Sequence, residues 1–246
     1  MKLTTPFRFF GDLVSDGFRH PERLMIMLKQ WRLARSLSLG EGKLPVRSLF
    51  EPVPGAEASE IRFQNLFEIP LFPAPHQDAR QNSWTTLADM QGLILLLKST
   101  PARVIVEYGT GHGHATLQFA LNFPDNAVIY TTDYPERASS DYICHRSAEA
   151  GKIRQSFSLT KDWDLSAIAG TVDFQFIDAT HQYEEVLADS KKALSLAAPG
   201  GLICWHDYSP SWKGVVRALD ELASTGLDLV KIQGINVVAY RHPRAA

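Results

Sequence analysis

Four short apolar runs, each ending on or next to an acid, constrain the fold of this chain more than any other feature. They read "RVIVEY" (103–108), "NAVIYTTD" (126–133), "VDFQFID" (172–178) and "LICWHD" (202–207), and they carry Glu107, Asp133, Asp178 and the pair His206–Asp207 at or near their ends. The first, a short continuous apolar run rather than an alternating one, has the pattern of a strand buried on both faces, which is the environment of a parallel sheet. A weaker run, "KIRQSF" (152–157), falls between the second and third. The segments separating the runs read as helices: "HATLQFALN" after the first, a stretch around Ser139 to Ala150 after the second, Tyr183 to Ala198 after "VDFQFID", and "WKGVVRALDELAST" after the last. Pro199-Gly200-Gly201 supplies a helix-ending signal. A further helix is predicted upstream, with Leu87, Met90, Leu93, Ile94 and Leu97 at helical spacing and Ser83 or Thr85 as its N-cap.

Alternating strands and helices predict an α/β, Rossmann-like, doubly wound sheet of about seven strands, mostly parallel. The final stretch, "LDLVKIQGINVVAYR", reads as two strands with a tight connection at Gly234, an antiparallel C-terminal hairpin. The chain divides by texture into an N-terminal extension, residues 1–80, and the α/β domain, residues 81–246. In the extension, "RLMIMLKQWRLARSL" places Leu24, Met27, Leu28, Trp31 and Ala34 near one helical face. Residues from about Leu44 to Ser83 are rich in proline and aromatics, without clear periodicity, and too apolar for a disordered linker.

Bulk composition excludes several classes. The formal net charge is −2, so no nucleic-acid partner is expected. The two cysteines, Cys144 and Cys204, have no metal-binding spacing and read as small buried hydrophobes in a reducing compartment. No apolar stretch reaches the roughly 18 residues of a membrane span, and no secretory leader is evident, so a cytoplasmic location is expected.

The first run leads into glycines at alternate positions, Gly109, Gly111 and Gly113. A glycine loop between strand and helix brings backbone N–H groups and a helix N-terminus close to a ligand. The dinucleotide fingerprint G-x-G-x-x-G fails in either register, because His114 or Thr116 stands where its third glycine belongs. A carboxylate at Glu107 suits a ligand with an amino group better than a pyrophosphate. Asp133, ending the next strand, is placed to accept hydrogen bonds from ribose hydroxyls. Together they point to a nucleoside joined to an amino acid, S-adenosylmethionine. His112 and His114, in the loop, are expected to pack or face solvent rather than catalyse. Tyr183 and Tyr208 are candidates for the acceptor pocket.

On these residues, and on "FIDATHQY" (176–183) and "WHDY" (205–208), the chain resembles the class I S-adenosylmethionine-dependent methyltransferases. It is most similar to their small-molecule O-methyltransferase branch (methyltransferase-24, macrocin O-methyltransferase-like), over about Ala102 to Arg241. The resemblance implies methyl transfer to a hydroxyl of a small acceptor, with a glycosyl or natural-product hydroxyl as the type, and it is compatible with a homo-oligomer. Cofactor contacts fall on Glu107, Gly109, Gly111, Gly113, Asp133 and Asp178. A more distant resemblance, to metal-dependent catechol-type O-methyltransferases, makes Asp178 a metal ligand, His181 the general base, and His206 and Asp207 the remaining ligands; because carboxylate oxygens suit Mg2+, the divalent cation is assigned to Asp178 and Asp207. His206 is then a second acid–base or orienting group. One departure stands out. Relatives commonly carry a Gly-Asp-Ser-like turn after the third strand, whereas Ser158, Leu159 and Thr160 occupy it here and the nearest acid is Asp162. The competing readings are a catalytically inactive S-adenosylmethionine-binding module and an NAD(P)-dependent oxidoreductase.

Overall fold

The computed structural model describes residues 46–47 and 85–244. The amphipathic stretch at 24–34, the irregular arm apart from its residues 46 and 47, and Ser83 lie outside the described residues. Eight strands form one sheet: β1 (Val46–Arg47), β2 (Val104–Tyr108), β3 (Val128–Asp133), β4 (Ile153–Phe157), β5 (Val172–Ile177), β6 (Ala197–Trp205), β7 (Val230–Ile232) and β8 (Val238–Arg241). Their spatial order is β1-β7-β8-β6-β5-β2-β3-β4. The four apolar runs are β2, β3, β5 and β6, all mutually parallel with β4. β8 runs antiparallel to both β6 and β7, so the final strand is inserted between them. The fold is the expected Rossmann-like one, widened at one edge by β1, which pairs in parallel with β7.

Four α-helices cover the sheet: α1 (Leu87–Lys98), α2 (His114–Leu121), α3 (Tyr183–Leu196) and α4 (Lys213–Ser224). Strand alternation sorts the core into two layers. Ile105, Phe174 and Phe176 pack with Leu93, Ile94, Leu117 and Phe119 of α1 and α2. Val106, Tyr108, Ile177 and Trp205 pack with Val186 of α3 and with Val215 and Leu219 of α4. Cys144 and Cys204 are both free and buried.

Three local readings change. The N-cap of α1 is Thr86, in a reciprocal capping box with Asp89, rather than Ser83 or Thr85. The stretch from Ser139 to Ala150 is not an α-helix but two 3-10 turns, Ile143–Arg146 and Ala148–Lys152, since Ser147 between them is extended. α3 stops at Leu196, because Ala197 is already extended and pairs with Val172. Pro199-Gly200-Gly201 therefore sits within β6, where the register against β5 shifts between Val172 and Phe174 and Gly200 takes a φ of 81°.

Chain direction across the sheet reverses between β2 and β5. β3 and β4 extend it one way, β6 and its followers the other. Open α/β sheets bind ligands at such a switch point, outside the carboxyl ends of the strands.

Candidate functional site

The glycine loop leaves β2 at this switch point and is built by close approach. A Cβ on Gly109, whose φ is 96°, would lie 2.6 Å from the Asp178 carbonyl oxygen at the end of β5. A Cβ on Gly113 would lie 2.6 Å from Cys144 Sγ. Two of the three glycines are thus required by the protein's own packing. The space at Gly111 is open, with nothing within 4 Å of a Cβ placed there. The Arg137 guanidinium donates to the Gly111 carbonyl at 2.6 Å and fixes the loop from the β3 side.

Glu107 shares the α2 face of β2 with Ile105, and this alternation decides its surroundings. Its Oε2 accepts hydrogen bonds from the hydroxyls of Thr116 in α2 (2.5 Å) and Thr131 in β3 (2.6 Å). The side chain is fully buried, and Oε1 has no partner. Burial, outweighing the two hydroxyls, pushes its carboxyl up to about 8. Asp133 ends β3 with both oxygens engaged: Oδ1 accepts from the Tyr134 backbone N–H at 2.8 Å, Oδ2 from the Tyr142 hydroxyl at 3.2 Å, and Arg137 Nε lies 3.5 Å away.

Gly109 and Asp133 line one cleft of about 270 Å3. Its remaining wall comes from Tyr134, from the Ser158–Lys161 turn after β4, and from the α3 side, including Thr180 and Asp189. The turn is anchored beneath by Thr132, whose hydroxyl donates to the Ser158 carbonyl at 2.9 Å. Asp162, the acid nearest the turn in sequence, is not among the residues lining the cleft.

On the other side of the switch point the strand ends bring Asp178, His181, His206 and Asp207 together. His181 Nε2 lies 2.7 Å from Asp207 Oδ2, and its ring stacks on Trp212 with centroids 3.8 Å apart. The imidazole is thus held by one edge and one face. The backbone carrying it is pressed against α4, since a Cβ on Gly214 would lie 2.2 Å from the His181 carbonyl. Asp207 has a φ of 61°, and it is the one residue other than glycine, among those described, with a positive φ. Strain of this kind concentrates at functional sites, where surrounding structure enforces it.

His206 lies deeper. Its Nδ1 is 3.3 Å from Asp178 Oδ1 and 3.5 Å from Asp207 Oδ1, and its Nε2 is 3.3 Å from Asp89 Oδ2. Burial alone would depress this imidazole. The surrounding carboxylates, Asp178 first, override it and hold His206 well above its ordinary range. Burial would likewise raise Asp89, but His206 and Thr86 hold that carboxyl below its usual value. One ligand atom each from Asp178, His181 and Asp207 lie within 4.8 Å of one another, a spacing that a cation could bridge.

Sequence reasoning missed Asp89, Trp212, Arg137 and Asp189. Only Asp89 left a trace, as the N3 acid of the Thr86 capping box. Tyr208 and Tyr183 lie elsewhere than in the cleft beside Asp133. The Tyr208 hydroxyl donates to Asp220 at 2.6 Å within a separate cleft of about 560 Å3 beside α4 and Lys231. The Tyr183 hydroxyl bonds Glu221, and Arg217 lies over its ring. Trp205 fills core, donating to Ser190 Oγ at 2.8 Å.

Residues 106–208 match the family model of a methyltransferase domain. That stretch spans the glycine loop and every Asp and His of the strand-end cluster except Asp89. That stretch is accordingly similar to a methyltransferase domain. The solved structures it resembles share its fold. The O-methyltransferase TomG from Streptomyces achromogenes, in complex with SAM, is 20% identical with a TM-score of 0.52, over 66% of this chain and 83% of that one. An O-methyltransferase from Bacillus cereus, in complex with SAH, is 19% identical with a TM-score of 0.52, over 77% and 93%. The SAH-bound methyltransferase PaMTH1 from Podospora anserina is 17% identical with a TM-score of 0.56, over 79% and 90%. No curated protein sequence matches the chain. No helix among the described residues is long and apolar enough to cross a membrane.

Proposed function

We propose that this protein transfers the methyl group of S-adenosylmethionine to a hydroxyl of a small acceptor, of the glycosyl or natural-product type, with His181 as general base. The observation that carries the reading is the 2.7 Å contact between His181 Nε2 and Asp207 Oδ2 at the strand ends. A hydroxyl is a poor nucleophile until its proton is taken, and imidazole is the side chain suited to that task near neutral pH. With Nε2–H donating to Asp207, the tautomer is set and Nδ1 keeps its lone pair for the acceptor proton. Stacking on Trp212 holds the ring plane, so the proton is removed in a fixed geometry. S-adenosylmethionine, when bound, supplies a sulfonium methyl whose C–S bond breaks as the C–O bond forms.

Cofactor contacts fall to Gly109 and Asp133, which line the cleft, and to Gly111 and Gly113 further along the loop. Glu107 supports them from beneath by tying β2 to α2 and β3. Asp178 joins the two halves, since its backbone meets Gly109 and its carboxylate meets His206. His206, buried between these carboxylates, orients Asp178 and Asp207.

Asp178 and Asp207 also suit a divalent cation as oxygen ligands, one oxygen of each lying within 4.8 Å of the other. Such a cation, when bound, would lower the pKa of the acceptor hydroxyl. Assays of the wild-type enzyme with hydroxylated acceptors, before and after a chelator, test both parts. A divalent site predicts at least a tenfold loss of turnover, restored by Mg2+. Full activity after chelation leaves His181 as the sole activating group. No transfer to any hydroxylated acceptor, despite cofactor binding, contradicts the reading.

A further inference from the structure

One strand in from the sheet edge, β7 reads Val230-Lys231-Ile232. Val230 and Ile232 pack in the α1–α2 layer, so alternation turns Lys231 to the opposite face, beside α4. There it lines the cleft of about 560 Å3 and is only 4% exposed. Lysines this deeply buried are normally paired. Lys231 forms no ion pair or hydrogen bond with any described residue, and its ammonium faces the Tyr208 ring, 5.7 Å from the centroid. Burial lowers it below its ordinary range, with no neighbouring carboxylate opposing. The acids of the cleft are committed elsewhere: Asp220 accepts from the Tyr208 hydroxyl at 2.6 Å, and Glu221 from that of Tyr183. A buried cation left without a counter-charge is costly, and in a native protein it calls for a partner.

A second feature of the same cleft points to a partner of the same sign. α4 begins at Lys213, on the cleft wall; its N-cap, Trp212, makes no side-chain cap bond, and its first turn holds no acid. A helix N-terminus already carries partial positive charge, and Lys213 adds to it where an acid would ordinarily stand. Pro210, Val216 and the Tyr208 ring give the cleft an apolar wall, and its volume falls in the range of small-molecule sites, about 300–1,000 Å3. We propose that this cleft binds a small organic anion, its carboxylate or phosphate oxygens held by Lys231 and Lys213 and its apolar body lying against Tyr208, Pro210 and Val216. The site shares no lining residue with the cleft beside Asp133. It adjoins the segment that holds His181, because Tyr208 follows Asp207 and Lys213 follows Trp212.

Ligand-observed NMR titration with phenyl phosphate, benzoate and benzyl alcohol, at fixed ionic strength, tests the assignment. The three probes share a ring and differ in the head group. The wild type is expected to bind at least one of the two anions about tenfold or more tighter than the neutral alcohol, because the bonds from lysine are charge-assisted. Preference for phenyl phosphate assigns a phosphate ester, and preference for benzoate a carboxylate. Lys231→Met keeps the length of the side chain and removes the charge, so the anion preference should shrink to within about threefold. Lys231→Arg should retain it. Lys213→Gln, on an exposed residue, should reduce it by about two- to threefold. A Lys231→Met protein that had lost its fold would lose benzyl alcohol as well, and Lys213→Gln would then carry the test. Equal affinity of the wild type for all three probes overturns the proposal, as does a failure to bind any of them. An anion preference that survives Lys231→Met intact places the anion elsewhere and overturns it too.

Discussion

The two sides of the switch point are built on opposite principles. On the β2–β3 side the backbone geometry is quiet: Asp133 has both oxygens engaged, and Glu107 is held through one oxygen by two threonine hydroxyls while burial raises its carboxyl. Positions there follow from local chain geometry, with glycines where the backbone touches Asp178 and Cys144. On the β5–β6 side three carboxylates surround one buried imidazole, and the residue bonded to His181 is held at a φ of 61°. The first arrangement suits a cradle that should not change during turnover. The second places electrostatic and backbone tension beside the proposed base.

The largest effect expected from breaking this contrast is at His181. His181→Ala should lower kcat by about 10^2- to 10^4-fold, the usual contribution of a general base, with S-adenosylhomocysteine affinity within about threefold of wild type. Asp207→Asn comes next. Asparagine tolerates the left-handed conformation, so the fold should survive, while loss of the charge beside His181 should cost roughly 10- to 100-fold in kcat. On the quiet side, Asp133→Asn should leave kcat at saturating cofactor nearly unchanged and weaken S-adenosylhomocysteine by about tenfold, read by titration.

The smallest effect sharpens the comparison through pH. Glu107 is raised to about 8, so the native state holds a proton that the unfolded chain has already released above its ordinary value of 4.5. Its contribution to stability therefore falls as pH rises from about 4.5 to 8. Glu107→Gln removes that dependence. Its melting temperature should exceed that of wild type by about 3 °C or more at pH 8, with the gap closing toward pH 5. A gap independent of pH would show that the two threonine bonds, rather than the charge, govern this position.

The sequence made the strand ends readable because a parallel sheet delivers them all to one edge: once four runs ended at or beside acids, the convergence of Asp178, His181, His206 and Asp207 followed from topology. It did not reveal that Asp89 would reach His206 from a helix more than one hundred residues upstream, or that Trp212 would stack on His181. Those contacts depend on how α1 and α4 pack, and no local pattern encodes them. Asp189 was hidden for a related reason: mid-helix acids are ordinary, and only the cleft wall distinguishes this one. Helix periodicity misled at Ser139–Ala150, where the chain breaks at Ser147, and the Pro199-Gly200-Gly201 signal marked a strand irregularity instead of a helix end.

The most direct test is transfer of labelled methyl from S-adenosylmethionine to a panel of small hydroxylated acceptors, by wild type and His181→Ala, each first shown to bind S-adenosylhomocysteine. Transfer to an acceptor oxygen by the wild type, reduced at least about 100-fold in the variant at undiminished cofactor affinity, is the predicted result. Equal transfer by the two proteins would contradict the central claim, because the proton would then leave by a route that does not pass through His181.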